Sequence, residues 1–259
     1  MQHANSLVRL LIPLFSAIIV ATILTAQRRQ LFIRRIQGLN VIDEAIGRAT
    51  EMGRPMLCCS GLGALEIATL QALSIITYII RASAKFGTRA ICPVYEPQMM
   101  PVTEEAVRDA YAAAGRPDQF NPEDVRFLSN QQFAFAASVA GIMWREQVAA
   151  SFLFGAFFAE AMIFAETGQQ LGAIQVAGTP TTTQIPFFIA ACDYVIIGDE
   201  FYAASAYLSR EPTALGSLVG QDIVKGLLAA IVLFGSIFST VTLISHLGWY
   251  MTLIHWFTK

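Results

Sequence analysis

Two stretches of the chain are apolar without interruption, and each lies near an end. Leu10 to Ala26 carries no charge and is extended by Leu7 and Val8 around Arg9. Gly226 to Ser245 is a second uncharged run, with Asp222 and Lys225 at its entry. A helix of about 20 apolar residues matches a hydrocarbon core of ~30 Å, so both runs predict membrane-spanning helices. Between them the pattern is shorter and punctuated. Apolar runs of strand type, Pro55–Cys59, Arg89–Val94, Val125–Ser129, Ala150–Phe154, Ala173–Ala177 and Tyr194–Ile197, alternate with helical stretches. The helices are roughly Leu62–Phe86, Val102–Ala114, Gln131–Arg145, Ala156–Gln170, Gln184–Ala191 and Asp199–Leu208.

Alternation of strand and helix implies parallel strands joined by right-handed crossovers. Continuously apolar strands imply that both sheet faces are covered. The predicted fold is therefore α/β: a doubly wound, mainly parallel sheet of about six strands, flanked by one N-terminal and one C-terminal transmembrane helix. The expected division is an N-terminal span over 1–27 and a basic juxtamembrane linker with a short amphipathic helix over 28–53. An α/β (Rossmann-like) domain follows over 54–220, then a second span over 221–247 and an interfacial aromatic tail over 248–259. Ile67–Ile80 and Gln147–Ala159 are also uncharged, but runs that short are usual for buried core.

Charge sets an expected orientation. Arg28, Arg29, Arg34 and Arg35 follow the first span, and only Arg9 precedes it. Arginines beside a span stay on the cytoplasmic side. Both termini are then outside and the domain is in the cytoplasm, at a bacterial inner membrane. A cleaved secretory signal fits poorly, because it wants its charges before a shorter apolar run. The tail carries Trp249, Tyr250 and Trp256, which suits a membrane interface. Only 14% of the residues are charged, against ~25% in an average soluble domain. Lipid or another protein must cover part of such a chain. The crowded Phe152, Phe157 and Phe158 are the expected oligomer contact. Net charge is −2 without a basic stripe, so nucleic acid is no partner.

Cysteine and histidine chemistry is sparse. Cys58, Cys59, Cys92 and Cys192 form no C-x-x-C pair, and zinc-type spacing is absent, so no metal or cofactor is expected. Adjacent Cys58 and Cys59 in a strand should point to opposite faces. His3, His246 and His255 all lie near the ends, which excludes a Ser-His-Asp or Cys-His site inside the domain. Carboxylates are left for proton transfer: Glu66, Glu96, Glu160, Glu166, Asp199 and Glu200. Glu160 and Glu166 lie in an apolar helix and are expected to pair with an arginine such as Arg145.

In a doubly wound sheet, ligands bind outside the carboxyl ends of the strands. The residues there are Ser60, Gly61 and Gly63 after the first strand, Asn130 after the third, Thr179 and Thr181 after the fifth, and Asp199 and Glu200 after the sixth. The Gly61-Leu62-Gly63 turn is similar to a dinucleotide loop. Glu66, however, stands where the third glycine belongs, and a carboxylate there opposes a pyrophosphate. The threonine loop offers hydroxyls for a phosphate or carboxylate, but the same residues are ordinary helix caps.

The segments RRIQGLNVIDEAIGRATEMGRP, DVRFLSNQQFAFAASVAGIM, FFAEAMIFAETG and IQVAGTPTTTQIPFFIAACDYVIIGDEFYAASAYLSREP resemble a bacterial family of membrane-anchored proteins labelled as a domain of unknown function. The resemblance covers about Arg34 to Gly220. It implies an α/β domain held at a membrane and no activity. The first expectation is thus a non-enzymatic membrane protein whose domain assembles laterally, as a homo-oligomer or in a larger complex. The alternatives are a binding or sensor module for a small anionic metabolite or nucleotide at the strand ends, and an enzyme using carboxylates in the same crevice.

Overall fold

The computed structural model describes residues 6–28 and 38–244. Arg29, Arg34, Arg35 and the aromatic tail lie outside the described residues. The chain divides into two compact units: Met1–Ile33 with Arg210–Lys259, and Arg34–Ser209. Helix α1 is Ser6–Arg28 in the first unit, and α2 is Gly38–Met52 in the second.

The α/β unit continues with β1 (Met56–Cys59), α3 (Ile67–Ala84), β2 (Ala90–Val94), α4 (Met99–Ala113), β3 (Val125–Phe127) and α5 (Gln132–Glu146). It ends with β4 (Ala150–Phe154), α6 (Ala161–Leu171), β5 (Ile174–Thr179), α7 (Ile185–Ala191), β6 (Tyr194–Ile197) and α8 (Asp199–Ser209). All six strands are parallel, in the order β3-β2-β1-β4-β5-β6. The chain winds outward from β1 to β3, then crosses back to β4 and winds the other way. The switch point lies between β1 and β4, where Leu57 pairs with Ser151 and Cys59 with Leu153.

The central strands are largely apolar and buried along nearly their whole length because each is covered twice. Met56, Cys58, Cys92 and Phe152 pack with Ile42 of α2, Ile76 of α3, Val107 of α4 and Phe201 of α8. Leu57, Cys59, Ile91 and Leu153 pack on the other face with Phe135 of α5, Phe164 of α6 and Phe188 of α7. Cys58 and Cys59 accordingly enter opposite cores.

Three readings change here. The amphipathic helix placed in a linker is α2, and its Ile42, Ala45, Ile46 and Ala49 are buried in the first core. Its polar face disguised a helix that closes one side of the sheet. Pro212–Gly220, placed in the α/β domain, instead opens a 33-residue helix, α9 (Pro212–Ile244). Phe152 and Phe157 are fully buried in their own chain and offer no oligomer contact. Of the three phenylalanines only Phe158 is exposed, at 54%.

The amino ends of the strands are tied by charge. Arg89 donates from Nε and Nη2 to Asp124, the shortest bond being 2.6 Å, and from Nη1 to Glu146 at 3.0 Å. Arg126 reaches Glu146 at 3.4 Å from the next strand. The two strands and the end of α5 are pinned together there.

In the other unit α1 and α9 form an antiparallel pair. A Cβ added at Gly216 would lie 2.5 Å from the Ile23 Cα, and one at Gly220 would lie 3.2 Å from the Ile19 Cα. Glycines four apart let two helix backbones touch, as in membrane helix pairs. Both helices are long and apolar enough to cross a membrane. So is α3 by composition, but half of it is buried against the sheet and its neighbours.

Asp124 is almost buried, so losing its arginine leaves a carboxylate without its main partner. Arg89→Met is expected to destabilise the α/β unit by about 1–3 kcal/mol, read from denaturant unfolding of the detergent-solubilised chain.

Candidate functional site

The carboxyl end of the switch point is where this fold ordinarily opens a crevice. Here the chain closes it with its own backbone. β1 ends at Cys59, and α3 starts only at Ile67 with Glu66 as its N-cap residue. Gly61 and Gly63 therefore lie in a loop and do not open the helix, as a dinucleotide turn requires. Gly61 has φ +81° and Gly155, after β4, has φ +116°. A side chain at Gly61 would strike the Ala156 carbonyl, and one at Gly155 would strike the Ser60 carbonyl. Across this contact the Leu62 N–H donates to the Ala156 carbonyl at 2.8 Å. The β1 and β4 loops are thus zipped where a ligand would enter.

Glu160 extends the zipper to the helices. It is fully buried at the N-cap of α6. Its Oε1 accepts the Phe158 N–H at 2.6 Å, and its Oε2 accepts the Gln132 side-chain N–H at 2.5 Å. It therefore joins the start of α5 to the start of α6 and does not pair with Arg145, whose guanidinium lies over Gly141 of its own helix.

The remaining sequence candidates are scattered. Ser60 is buried in the zipper, and Gly63 sits against the Thr69 hydroxyl. Thr179 is buried, and its Oγ1 accepts the Thr181 N–H at 3.1 Å, so these two form a local turn. Asn130 is exposed after β3, and Asp199 and Glu200 are exposed in the first turn of α8 after β6. β3 and β6 are opposite edges of the sheet. At ~4.8 Å per strand they are roughly 24 Å apart, beyond the reach of one small ligand.

Two properties of this end were not read from sequence. First, its loops, 60–66, 95–98, 128–131, 155–160, 180–184 and 198–200, carry Glu66, Glu96, Glu160, Asp199 and Glu200 but no lysine, arginine or histidine. Second, it displays large apolar side chains. Leu65 is 62% exposed and Ile67 72%, beside the β1 loop. Phe133 in the first turn of α5 is 62% exposed, and Met162 in the first turn of α6 is 55% exposed. Phe158 joins them from the β4 loop. The bonds of Leu62 and Glu160 link the very loops and helix starts that carry these five residues. Adjacency hid the signal: Phe157 turns into the core against Phe164 and Phe188, while its neighbour turns out.

The cysteines are free; Cys58, Cys59 and Cys92 are buried and Cys192 is half-buried. Burial pushes the Cys59 thiol up to about 12, with Glu160 adding to the effect. Burial pushes Cys192 up to about 12 as well. Cys58 is raised first by its hydrogen bond with Cys92, then by burial. Among the described residues no group of three His, Cys, Asp or Glu side chains is placed to hold a metal ion.

The strand order and double winding define a Rossmann-like α/β protein with an apolar, membrane-competent helix near each end. The chain belongs to the family described as Domain of unknown function (DUF6754), whose model matches residues 1–249. That match takes in α1 and α9 as well as the α/β unit. No curated protein and no solved structure matches the chain.

The zipper predicts that Gly155→Ala lowers stability by at least about 2 kcal/mol in denaturant unfolding, because it adds both strain and a backbone clash. The raised thiols of Cys58, Cys59 and Cys192 and the burial of Cys92 predict slow maleimide labelling in the folded chain at pH 7, and fast labelling after unfolding. Mass spectrometry of timed reactions distinguishes the two.

Proposed function

We propose that the chain is a non-catalytic, membrane-anchored assembly subunit, and that its α/β unit docks other protein through the carboxyl end of the sheet. The observation that carries this reading is the bonded platform of Leu65, Ile67, Phe133, Phe158 and Met162. Large apolar side chains held by hydrogen-bonded backbone are what a protein interface core requires, and a monomer rarely exposes such a group. The same end is acidic and lacks any cation. Acidity opposes a phosphate or carboxylate ligand, and equally opposes an anionic lipid surface. The zippered switch point leaves the catalytic reading without its crevice. The docked protein is read as further copies of the chain, lined up by the terminal helices in one layer. The cytoplasmic side and the inner membrane follow from Arg28, Arg29, Arg34 and Arg35 under the same reading.

The full chain, extracted in detergent, is expected to run as a uniform particle well above the 28.3 kDa of one copy. The pair Phe133→Asp and Phe158→Asp changes only exposed positions, so melting of the α/β unit should hold while the particle disperses. Light scattering with mass photometry reads both species. A native chain that runs as a monomer, or a double variant that stays assembled, overturns the reading.

A further inference from the structure

Helix α5 carries exposed apolar surface from one end of the sheet to the other. It opens at the carboxyl end with Phe133 in its first turn and finishes at the amino end with Trp144 and Arg145 in its last. Residues 133–144 carry no charge. At 100° per residue, Phe133, Ala137 and Trp144 fall on one side with Ala134 beside them, and all four are exposed. Phe133 and Trp144, 62% and 47% exposed, stand about 16 Å apart along that side. Trp144 lies outside the platform, at the other end of the helix. At roughly 200 Å² for a large side chain, the five platform residues expose about 600 Å². A stable interface covers ~800 Å² on each partner. The outer face of α5 closes most of that gap.

The two ends of this helix differ in charge. Near its start, the Tyr95 ring meets Phe135 of α5 edge-on at 5.4 Å, which brings the next residue, Glu96, beside the first turns. The loops of that end hold carboxylates and no cation. In the last turn Arg145 is exposed, and its guanidinium is folded over Gly141 onto the apolar side. Arg54 adjoins it, donating from Nε to the Gln147 carbonyl at 2.6 Å. Glu146, the carboxylate of that turn, is held by Arg89 and Arg126. The apolar face of α5 therefore runs from an acidic end to a basic end.

We propose that a second copy docks on this face in the opposite direction, α5 against α5, about a two-fold axis that crosses the helix between Ser138 and Val139. The occupant follows from charge complementarity and from the area a stable contact needs. In this register Phe133 of each copy meets Trp144 of the other, and Ala137 meets Ala140. Arg145 of each copy comes to the acidic end of the other, beside Glu96. A parallel pairing would set acid against acid and base against base. The antiparallel contact is self-complementary, as a two-fold interface must be. The inference rests on the assembly reading above and names what covers the platform: the α5 face and basic end of a second copy.

Two differently tagged full-length copies, co-expressed and extracted in detergent, test the pairing by capture of one through the other. Trp144→Asp lies off the platform yet should lower capture at least tenfold. Arg145→Glu with itself, and Glu96→Arg with itself, should fall at least fivefold, because like charges then face each other twice. Arg145→Glu with Glu96→Arg should recover, since both contacts are again opposite in sign. That recovery also shows that both variants fold. Disulfide oxidation reads the direction: Ala134→Cys in one copy should cross-link to Trp144→Cys in the other, and Ala134→Cys should not cross-link to itself. Like-charge variants that pair as well as native, or mixed variants that pair no better than like ones when each melts as native, overturn the proposal. So does cross-linking of Ala134→Cys only to itself. A face covered by lipid or by a foreign protein gives neither the recovery nor the cross-link, and overturns it too. If Phe133→Asp with Phe158→Asp disperses the particle while Trp144→Asp and the charge variants leave it assembled, the assembly reading stands and this orientation fails. If native copies never capture each other, both fail.

Discussion

Everything at the carboxyl end of the sheet depends on one backbone contact, the crossing of the β1 and β4 loops at Gly61 and Gly155. Neither glycine accepts a side chain, since each faces the carbonyl-bearing backbone of the other loop. Both have positive φ, which lets the loops turn toward one another rather than flare. In most doubly wound sheets these loops part and a ligand sits between them. Here they touch across the switch point. The loops also become a rigid base, and Glu160 extends it to α5 and α6. Exposed apolar residues on such a base keep fixed positions, which a flexible loop would not give them.

The opposite end of the sheet is held by different physics. Arg89 bridges Asp124 and Glu146 with charge-assisted bonds. The nearby aspartate and glutamate raise the affinity of this guanidinium for its proton. Cations and anions there cancel pairwise. At the carboxyl end only anions occur in the loops, and they are interspersed with apolar groups. The contrast separates an end built for cohesion from an end whose chemistry is turned outward.

Much of the fold was legible because it follows from period and continuity. Strands such as Met56–Cys59 and Ala90–Val94 are apolar at every position, which only a doubly covered sheet tolerates. The facing of Cys58 and Cys59 follows from strand geometry alone. What was missed turns on matters a pattern does not hold. α2 has a polar face like a linker helix, and only its contacts show that its apolar face is core. Phe157 and Phe158 are chemically identical neighbours, and one turn sends them in opposite directions. The strands were placed in the right order, but β3 ends at Phe127 rather than Ser129 and β5 at Thr179 rather than Ala177; Thr179 and Thr181 bond to each other, and Asn130 and Asp199 lie on opposite edges. The Gly216–Gly220 spacing was present in the sequence, but it fell in a region assigned to the α/β domain, where it would mean nothing.

The stagger of the two terminal helices has a consequence for the lipid itself. The apolar run of α1 lies beside the first half of α9, and the apolar run of α9 continues past the far end of α1. Together the runs extend roughly 44 Å along their common axis, against ~30 Å of hydrocarbon. No upright placement matches both. A membrane crossed by this pair would meet the mismatch by tilt of the helices or by deformation of the bilayer. Acyl-chain length would then set the posture of the pair: longer chains would let it stand straighter, and shorter ones would lay it over.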